Sequence, residues 1–254
     1  MRPRRLLFWL AAYYLAAALP NLAAAQSEAD LELVLAVDVS GSVDESEYGL
    51  QMSGIAAAFR DPEVIEAIAA GPIGRIAVSV VFWAESAYPK HSMPWTLIED
   101  AAGAKSFALR LESRPRSIAG GGTGIGRGVM YAVDLIESNA ILSPRRVVDV
   151  SGDGRETPFR YYSVPPSQAR AYALARGVSI NGLAILTDEP DLESYYREEV
   201  IGGGEAFAMA ADGFEDFAEA MRLKLIREIE YRPRVSGLAP GLRGSDRRQP
   251  VPHG

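Results

Sequence analysis

Five short apolar runs alternate along the chain with longer stretches whose apolar positions recur at helical spacing. The runs lie at 31–37, 76–83, 147–150, 178–186 and 205–210. Near-continuous Val, Ile and Leu is typical of parallel strands that are covered on both faces. The helical stretches lie at 44–61, 96–113, 124–140, 165–177 and 212–231. This alternation predicts an α/β fold, a doubly wound, mostly parallel sheet with helices on both faces.

Local signals refine some element boundaries. Thr96 and Glu99 have the spacing of a capping box, which predicts that a helix begins there. Asp212 is predicted to cap the last helix. The segment 86–95 contains two prolines, so it is expected to form a short strand only at an edge of the sheet.

The N-terminal residues indicate export. Residues 1–25 combine a basic start, an apolar stretch and a run of alanines, the arrangement of a secretory signal peptide cleaved before Gln26. A retained membrane anchor is the alternative, because 6–25 approaches spanning length. Pro20 and Asn21 before the alanine site favour cleavage. The sequence therefore predicts a periplasmic or secreted protein with no stable membrane insertion after cleavage.

Composition excludes several functional classes. The net charge is −7, and loss of the basic signal makes the remaining chain more acidic, which argues against nucleic-acid binding and anionic membrane surfaces. The chain contains no cysteine and two histidines, so thiolate sites and a His-rich zinc site are excluded. Residues 232–254 are rich in Pro, Gly and Arg without periodicity and are predicted to be a disordered tail. The intervening 26–231 is predicted to form one domain.

Oxygen-bearing side chains occupy three loops that should meet at one edge of the sheet. The first apolar run ends at Asp38, and Ser40 and Ser42 follow at alternate positions. Thr123 lies among glycines just before a helical stretch, and Asp153 follows the third run. Ligands of open parallel sheets bind outside the carboxyl ends of the strands, where such loops lie.

These five side chains offer only hydroxyl and carboxylate oxygens. Such hard donors suit Mg²⁺, or Mn²⁺ as a substitute, in octahedral coordination that retains some water. Two carboxylates and three neutral hydroxyls roughly balance a dication and leave it able to accept an anionic group. The pattern therefore predicts a metal site that is open to a further ligand.

The combination resembles a known family. D-x-S-x-S at 38–42, a distant Thr123 and an Asp153 flanked by glycines are similar to the metal-ion-dependent adhesion site of von Willebrand factor A domains. The order of strands and helices over 30–231 is similar too. The stretches DVSGDG, INGLAIL and FEDFAEAMRLKLIREI resemble an exported bacterial branch of that family with no assigned function.

The resemblance implies roles for the predicted residues. In that family the hydroxyls ligate the metal, which here implies Ser40, Ser42 and Thr123. The aspartates ligate it directly or through water, which implies Asp38 and Asp153. A carboxylate of a protein partner often completes the coordination shell. The resemblance thus implies a von Willebrand A or Rossmann-like fold and a non-enzymatic, adhesion-type protein-binding module.

Other interpretations of the same residues remain open. The polar residues after the first run could cap the following helix, although Asp44 or Ser42 alone would suffice. The glycine cluster at 120–128 matches neither common phosphate-loop pattern. A Mg²⁺-assisted hydrolase acting on a phosphate ester is the enzymatic alternative, with Ser40 or an activated water as nucleophile. Its general base would have to come from a small set of candidates: His91, Glu85 or Glu156.

A long loop after Asp153 predicts where a partner would bind. The segment GRETPFRYYSVPP is longer than a minimal strand-to-helix connection, and long loops in compact domains are often functional. Aromatic and Arg side chains dominate interface energetics. The predicted rim of the site comprises Arg155, Phe159, Arg160 and Tyr161, with Trp83 and Glu85 from the 82–88 turn. Alternatively, the loop aromatics fold back as a small satellite cluster.

Asp149 is not explained by the predicted metal site or by the predicted partner surface. Asp149 falls inside an apolar run that is predicted to be a buried strand. A pairing with Arg145 or Arg146, or a role in accepting hydrogen bonds behind the site, would explain it. A buried carboxylate needs a partner of this kind.

Overall fold

A computed structural model describes residues 27–118, 120–158 and 160–230. The predicted signal peptide and the predicted tail lie outside the described residues. The strands are β1 (Ser27–Glu28), β2 (Leu31–Asp38), β3 (Ile76–Trp83), β4 (His91–Ser92), β5 (Thr96–Ile98), β6 (Ile141–Leu142), β7 (Arg146–Gly152), β8 (Ser179–Ile185) and β9 (Ala208–Ala211). The helices are α1 (Glu45–Arg60), α2 (Pro62–Ala69), α3 (Ala101–Glu112), α4 (Ile125–Glu137), α5 (Pro166–Leu174), α6 (Leu192–Tyr195), which continues into a π-helix (Tyr196–Val200), and α7 (Phe217–Glu230).

The central sheet has the order β4-β3-β2-β7-β8-β9, and β5 also pairs with β3. All of its pairings are parallel except those of β4 and β5 with β3. A separate parallel pair joins β1 to β6. The predicted fold class is confirmed, with β4 as the short edge strand expected within 86–95.

Helices cover both faces of the sheet, so β2 and β3 are buried along their whole length. One hydrophobic core lies under α1, α2, α3 and α7 and contains Phe59, Phe107 and Phe217. The other lies under α4, α5 and the π-helix and contains Trp83 and Tyr196. Burial on both faces explains why these strands read as continuous apolar runs rather than alternating ones.

The strand order places a switch point between β2 and β7. From β2 the chain crosses to β3 on one side, whereas β7 pairs with the other side of β2. Connections therefore leave in opposite directions at the carboxyl ends of these two strands. In open α/β sheets the crevice formed there is the usual ligand site.

Two predicted helix starts are wrong. Thr96 and Glu99 do not form a capping box: Thr96 begins β5, which pairs with β3, and α3 is instead capped by Asp100, whose Oδ1 accepts from Gly103 N at 2.7 Å. The strand pairing outweighs the local helix signal. Asp212 does not cap α7, because the residues that follow it form turns and α7 begins at Phe217. No helix in the described ranges is long and apolar enough to cross a membrane.

Asp149 has a buried partner that the sequence did not indicate. Lys224 Nζ of α7 lies 2.5 Å from Asp149 Oδ1 and 2.6 Å from Glu228 Oε1. Asn181 Nδ2 of β8 donates to the same Glu228 oxygen at 2.8 Å. The predicted pairing with Arg145 or Arg146 is replaced by this cluster, since α7 packs against β8 and β9 and its Lys224 reaches Asp149 of the neighbouring β7.

Candidate metal centre

The first loop of the site is held by hydrogen bonds to its backbone. Asp38 ends β2, and its Oδ1 accepts from Ser40 N at 2.8 Å. Gln51 Nε2 of α1 donates to Asp38 O at 3.1 Å. Arg116 donates to the carbonyls of Val39 and Ser40 at 3.1 and 2.9 Å. The loop that carries Ser40 is thus fixed from both sides.

The glycine loop packs directly against the first loop. Gly41 N donates to Gly121 O at 2.9 Å, and Glu85 Oε2 accepts from Gly122 N at 2.9 Å. Gly121 has a φ of +93°, and a Cβ there would lie 2.7 Å from Tyr88 Cε2. Only glycine fits this backbone conformation and this close approach. The packing brings Thr123 beside the carboxyl end of β2.

The predicted side chains converge. Ser42 Oγ donates to Asp153 Oδ1 at 2.8 Å. Ser40 Oγ lies 3.3 Å from Ser42 Oγ and 3.5 Å from Thr123 Oγ1. Asp38 joins the group through its hydrogen bond to the backbone of Ser40. The structure therefore brings together all five residues that the sequence singled out, at the switch point between β2 and β7.

The electrostatics of the two carboxylates suit a cation. Burial, followed by the nearby charge of Asp153, raises the pKa of Asp38 to about 8. Burial also raises the pKa of Asp153, against a lowering effect from the hydrogen bond of Ser42. Asp38 Oδ2 is buried without a hydrogen-bond partner among the described residues. A bound dication would neutralise both carboxylates and occupy space beside an oxygen that otherwise lacks a partner.

The donor set defines which cations fit. Within the described residues, no group of three or more His, Asp or Glu side chains could hold a metal. A cation between these loops would therefore depend on the hydroxyls of Ser40, Ser42 and Thr123 as well as on the carboxylates. Hydroxyl and carboxylate oxygens are the ligands of Mg²⁺ and Mn²⁺, so the residues present fit the implied ion.

Replacing Gly152 by Ala should weaken binding of a divalent cation, whereas Gly154→Ala should not. A Cβ at Gly152 would lie 2.8 Å from Asp38 Oδ2 and 3.0 Å from Tyr196 Oη, so Asp38 would have to move. At Gly154 the nearest atom, Thr123 Oγ1, would lie at 3.5 Å, an ordinary contact. Titration calorimetry with Mg²⁺ should show a loss of about tenfold or more for the first variant only. Equal affinities of the two variants would contradict the assigned geometry.

Part of the predicted rim is exposed beside the glycine loop. Tyr161 is 75% exposed, and its ring centroid lies 4.0 Å from that of Tyr162. Tyr162 is itself exposed and has a positive φ of 63°, which is rare for a residue with a side chain. Tyr88, which contacts Gly121, is exposed as well. These tyrosines do not fold back as a buried satellite cluster.

The charged rim residues are partly engaged within the protein. Arg160 Nε lies 3.6 Å from Glu85 Oε2, and its side chain is half exposed. Arg155 forms ion pairs with Glu189 and Asp191, both at 2.6 Å. Its charge is therefore balanced by two carboxylates, and Arg160 is the better candidate to attract an acidic partner.

Two rim predictions need correction. Trp83 is 0% exposed, because its side chain points into the core under α4 and packs on Gly128, where a Cβ would lie 2.7 Å from Trp83 Cγ. It cannot contact a partner. The side chain of Glu85 is only 13% exposed, and it orders the glycine loop instead of facing solvent. Phe159 lies outside the described residues.

Sequence reasoning missed the residues that support the loops. Arg116 and Gln51 hold the first loop by donating hydrogen bonds to its backbone carbonyls. Such contacts do not depend on the side chains of the loop, so no sequence motif indicates them. Glu156 accepts hydrogen bonds from Gly126 N at 3.0 Å and Ser163 Oγ at 2.9 Å, linking the loop after Asp153 to the start of α4. In the sequence, Glu156 lies two positions before Pro158, and this pattern does not indicate that its side chain links two loops.

Solved structures of similar fold include adhesive and filament proteins. The pilus adhesin SpaC from Lactobacillus rhamnosus GG is 13% identical with a TM-score of 0.57, covering 79% of this chain and 31% of the adhesin. Proximal thread matrix protein 1 from the mussel byssus, with a zinc-occupied MIDAS motif, is 14% identical with a TM-score of 0.52, covering 79% and 48%. The PilB minor pilin from Streptococcus sanguinis is 12% identical with a TM-score of 0.54, covering 81% and 62%. The chain thus spans less than two thirds of each.

The strand order and these solved structures show that the chain has a fold of the von Willebrand factor A type. At these low identities the likeness establishes the fold alone. The chain belongs to the family described as "Protein of unknown function (DUF1194)", which matches residues 28–233. No curated protein matches the sequence.

Proposed function

We propose that the chain is an exported, metal-dependent protein-binding module of the adhesion type. One Mg²⁺, for which Mn²⁺ can substitute, is held by Asp38, Ser40, Ser42, Thr123 and Asp153. When bound, the ion supplies a positive centre that a partner's carboxylate can coordinate. The observation that carries this proposal is the convergence of three hydroxyls and two buried carboxylates at the switch point of the sheet.

The rim supports a protein as the partner. Exposed tyrosines and a half-exposed arginine stand beside the glycine loop, and these side-chain types dominate the energetics of protein interfaces. Tyr162 has its positive φ in an exposed turn in which Ser163 N donates to Arg160 O at 3.0 Å, and this turn presents its ring beside that of Tyr161. The chain as a whole is acidic, so Arg160 would act with the ion to offset repulsion of a partner's carboxylate.

The surroundings of the site favour binding over phosphate-ester hydrolysis. A hydrolase needs a general base that is free to accept a proton. Glu85 accepts from Gly122 N, and Glu156 accepts from Gly126 N and Ser163 Oγ, so both carboxylates already serve the loops. His91 lies on the edge strand β4. The adhesin and the minor pilin of similar fold are also consistent with a binding role outside the cytoplasm.

Partner capture from the native envelope tests this proposal. Purified protein is crosslinked to an envelope fraction in Mg²⁺ and, separately, in chelator, and the captured proteins are identified by mass spectrometry. We expect a protein that is captured in Mg²⁺ but lost in chelator and in the Asp38→Ala variant. Capture that is equally strong in all three conditions would contradict a metal-mediated contact.

The rim is tested with Arg160→Ala combined with Tyr161→Ala. The double variant should weaken capture while Mg²⁺ affinity and the melting temperature stay close to those of the wild type, because both side chains are exposed and Arg160 reaches the glycine loop only through its 3.6 Å ion pair with Glu85. Leu109→Ala with Arg110→Ala, on the exposed side of α3, is the matched control and should capture normally. Normal capture by the Arg160/Tyr161 variant would place the partner surface elsewhere. A much lower melting temperature would show that the two residues are structural.

A further inference from the structure

Two buried polar atoms without hydrogen-bond partners among the described residues lie beside Gly152. Asp38 Oδ2 and Tyr196 Oη each lack a partner within the described part of the chain. The point where a Cβ of Gly152 would stand lies within 3.0 Å of both atoms. Glycine places no side chain between the two oxygens, so they lie near enough for a bridge through one water, and a direct hydrogen bond would need a shift of the tyrosine or the carboxylate.

The two groups are chemically complementary. A phenol carries a proton to donate, and an ionised carboxylate oxygen can only accept. Native proteins leave few buried polar groups unpaired, so an unpaired donor beside an unpaired acceptor calls for an explanation. The other carboxylate oxygen, Asp38 Oδ1, is already held by Ser40 N. A hydrogen bond from Tyr196 would fix the remaining oxygen and complete the orientation of the carboxylate.

The backbone holds Tyr196 in place. Tyr196 is the first residue of the π-helix Tyr196–Val200, and Ile201 N donates to Tyr196 O at 2.9 Å. Its ring is fully buried and packs on Gly182, where a Cβ would lie 2.6 Å from Tyr196 Cδ1. Single π-helical turns interrupt helices frequently at functional sites. Here the turn directs the tyrosine hydroxyl toward the carboxyl ends of β2 and β7.

We propose that Tyr196 is a positioning residue for the metal site and donates a hydrogen bond to Asp38 Oδ2, directly or through one water, when Asp38 holds the cation. This inference rests on the proposed function of the same site. Hydrogen bonds behind a ligand set its orientation and commonly change metal affinity 10- to 100-fold, as a rough range. Tyr196 would act through Asp38 without touching the ion.

Tyr196→Phe tests the proposal because it removes only the hydroxyl and keeps the packed ring. Calorimetry should show Mg²⁺ binding weaker by about tenfold or more. The melting temperature in chelator should stay close to that of the wild type, because phenylalanine keeps the buried ring and its packing on Gly182. The stabilisation produced by saturating Mg²⁺ should shrink. Tyr131→Phe, whose hydroxyl lies 3.5 Å from Ser92 Oγ at the sheet edge, is the control and should bind Mg²⁺ normally.

The possible outcomes separate the two proposals. Wild-type affinity in Tyr196→Phe would overturn the role of Tyr196 and leave the metal site standing. A melting temperature in chelator that falls with unchanged Mg²⁺ affinity would show a purely structural role and also overturn it. Absence of Mg²⁺ binding in the wild-type protein would overturn the metal site and this inference with it.

Discussion

Replacing Asp38 by Ala is expected to abolish Mg²⁺ binding without unfolding the protein. Asp38 is one of two carboxylates that would balance the dication, and it lies fully buried at the end of β2. Loss of a group that only orients a metal ligand already lowers metal affinity by up to about 100-fold. Because Asp38 would itself hold the ion, its loss should lower Mg²⁺ affinity by more than about 100-fold. Titration calorimetry of the purified protein measures this directly.

The fold should survive because this carboxylate is costly without a cation. Burial and the charge of Asp153 both disfavour its ionised form, and one of its oxygens has no partner among the described residues. Removing it forfeits the hydrogen bond from Ser40 N, worth roughly 0.5–1.5 kcal/mol, and relieves that desolvation. The melting temperature in chelator should therefore stay close to that of the wild type.

A matched variant separates binding from stability. Asp100 caps α3 through Gly103 N and lies outside the metal loops. Asp100→Ala should lower stability by about 1 kcal/mol and leave Mg²⁺ affinity unchanged, the reverse of the pattern expected for Asp38→Ala. Unchanged Mg²⁺ affinity in Asp38→Ala would show that the cation does not bind at the end of β2.

Replacing Lys224 by Met should destabilise the protein by about 3–5 kcal/mol. Lys224 is fully buried and lies between the carboxylates of Asp149 and Glu228 at 2.5 and 2.6 Å. Methionine fills similar volume but leaves two carboxylates in the core without their cation. The cost therefore reflects the unpaired acids that remain. Chemical denaturation of the variant and the wild type gives the difference in free energy of unfolding.

Arg222 provides the control on the same helix. It pairs with Glu219 and Glu63 at 2.8 and 2.9 Å, but at the surface of α7, where solvent screens the charges. Arg222→Met should cost only about 0–1 kcal/mol. If Lys224→Met costs no more than Arg222→Met, the buried cluster does not hold α7 to the sheet as its geometry indicates.

Much of the fold was predictable from the sequence because its central strands consist mostly of apolar residues. Strands such as β2 and β3 are covered on both faces and carry apolar residues at most positions, so the sequence shows each of them as a nearly continuous apolar run. β5 was missed since its three residues form a strand only by pairing with β3, while their local spacing suggests a helix cap. Helix α2 was not among the predicted helices, although its start carries a usable signal, an Asp61 cap followed by Pro62.

The candidate site was predictable to the extent that its residues lie in local motifs. Asp38, Ser40 and Ser42 follow one strand in sequence, so their meeting needed no tertiary information. Trp83 was misplaced because its position at the end of β3 does not reveal which face it points to, and the small Gly128 of α4 admits it into the core. Tyr196 comes from the distant π-helix and lies close to Gly152, and no pattern near it in the sequence indicates this position.

A crystal structure of the protein soaked in Mn²⁺ tests the central claim most directly. Anomalous scattering locates the ion independently of the protein coordinates. We predict one strong peak between the three loops, within coordination distance of Ser40 Oγ, Ser42 Oγ and Thr123 Oγ1, about 2 Å for a small divalent cation. A crevice without a peak at saturating Mn²⁺, or a peak only at another place on the chain, would contradict the account.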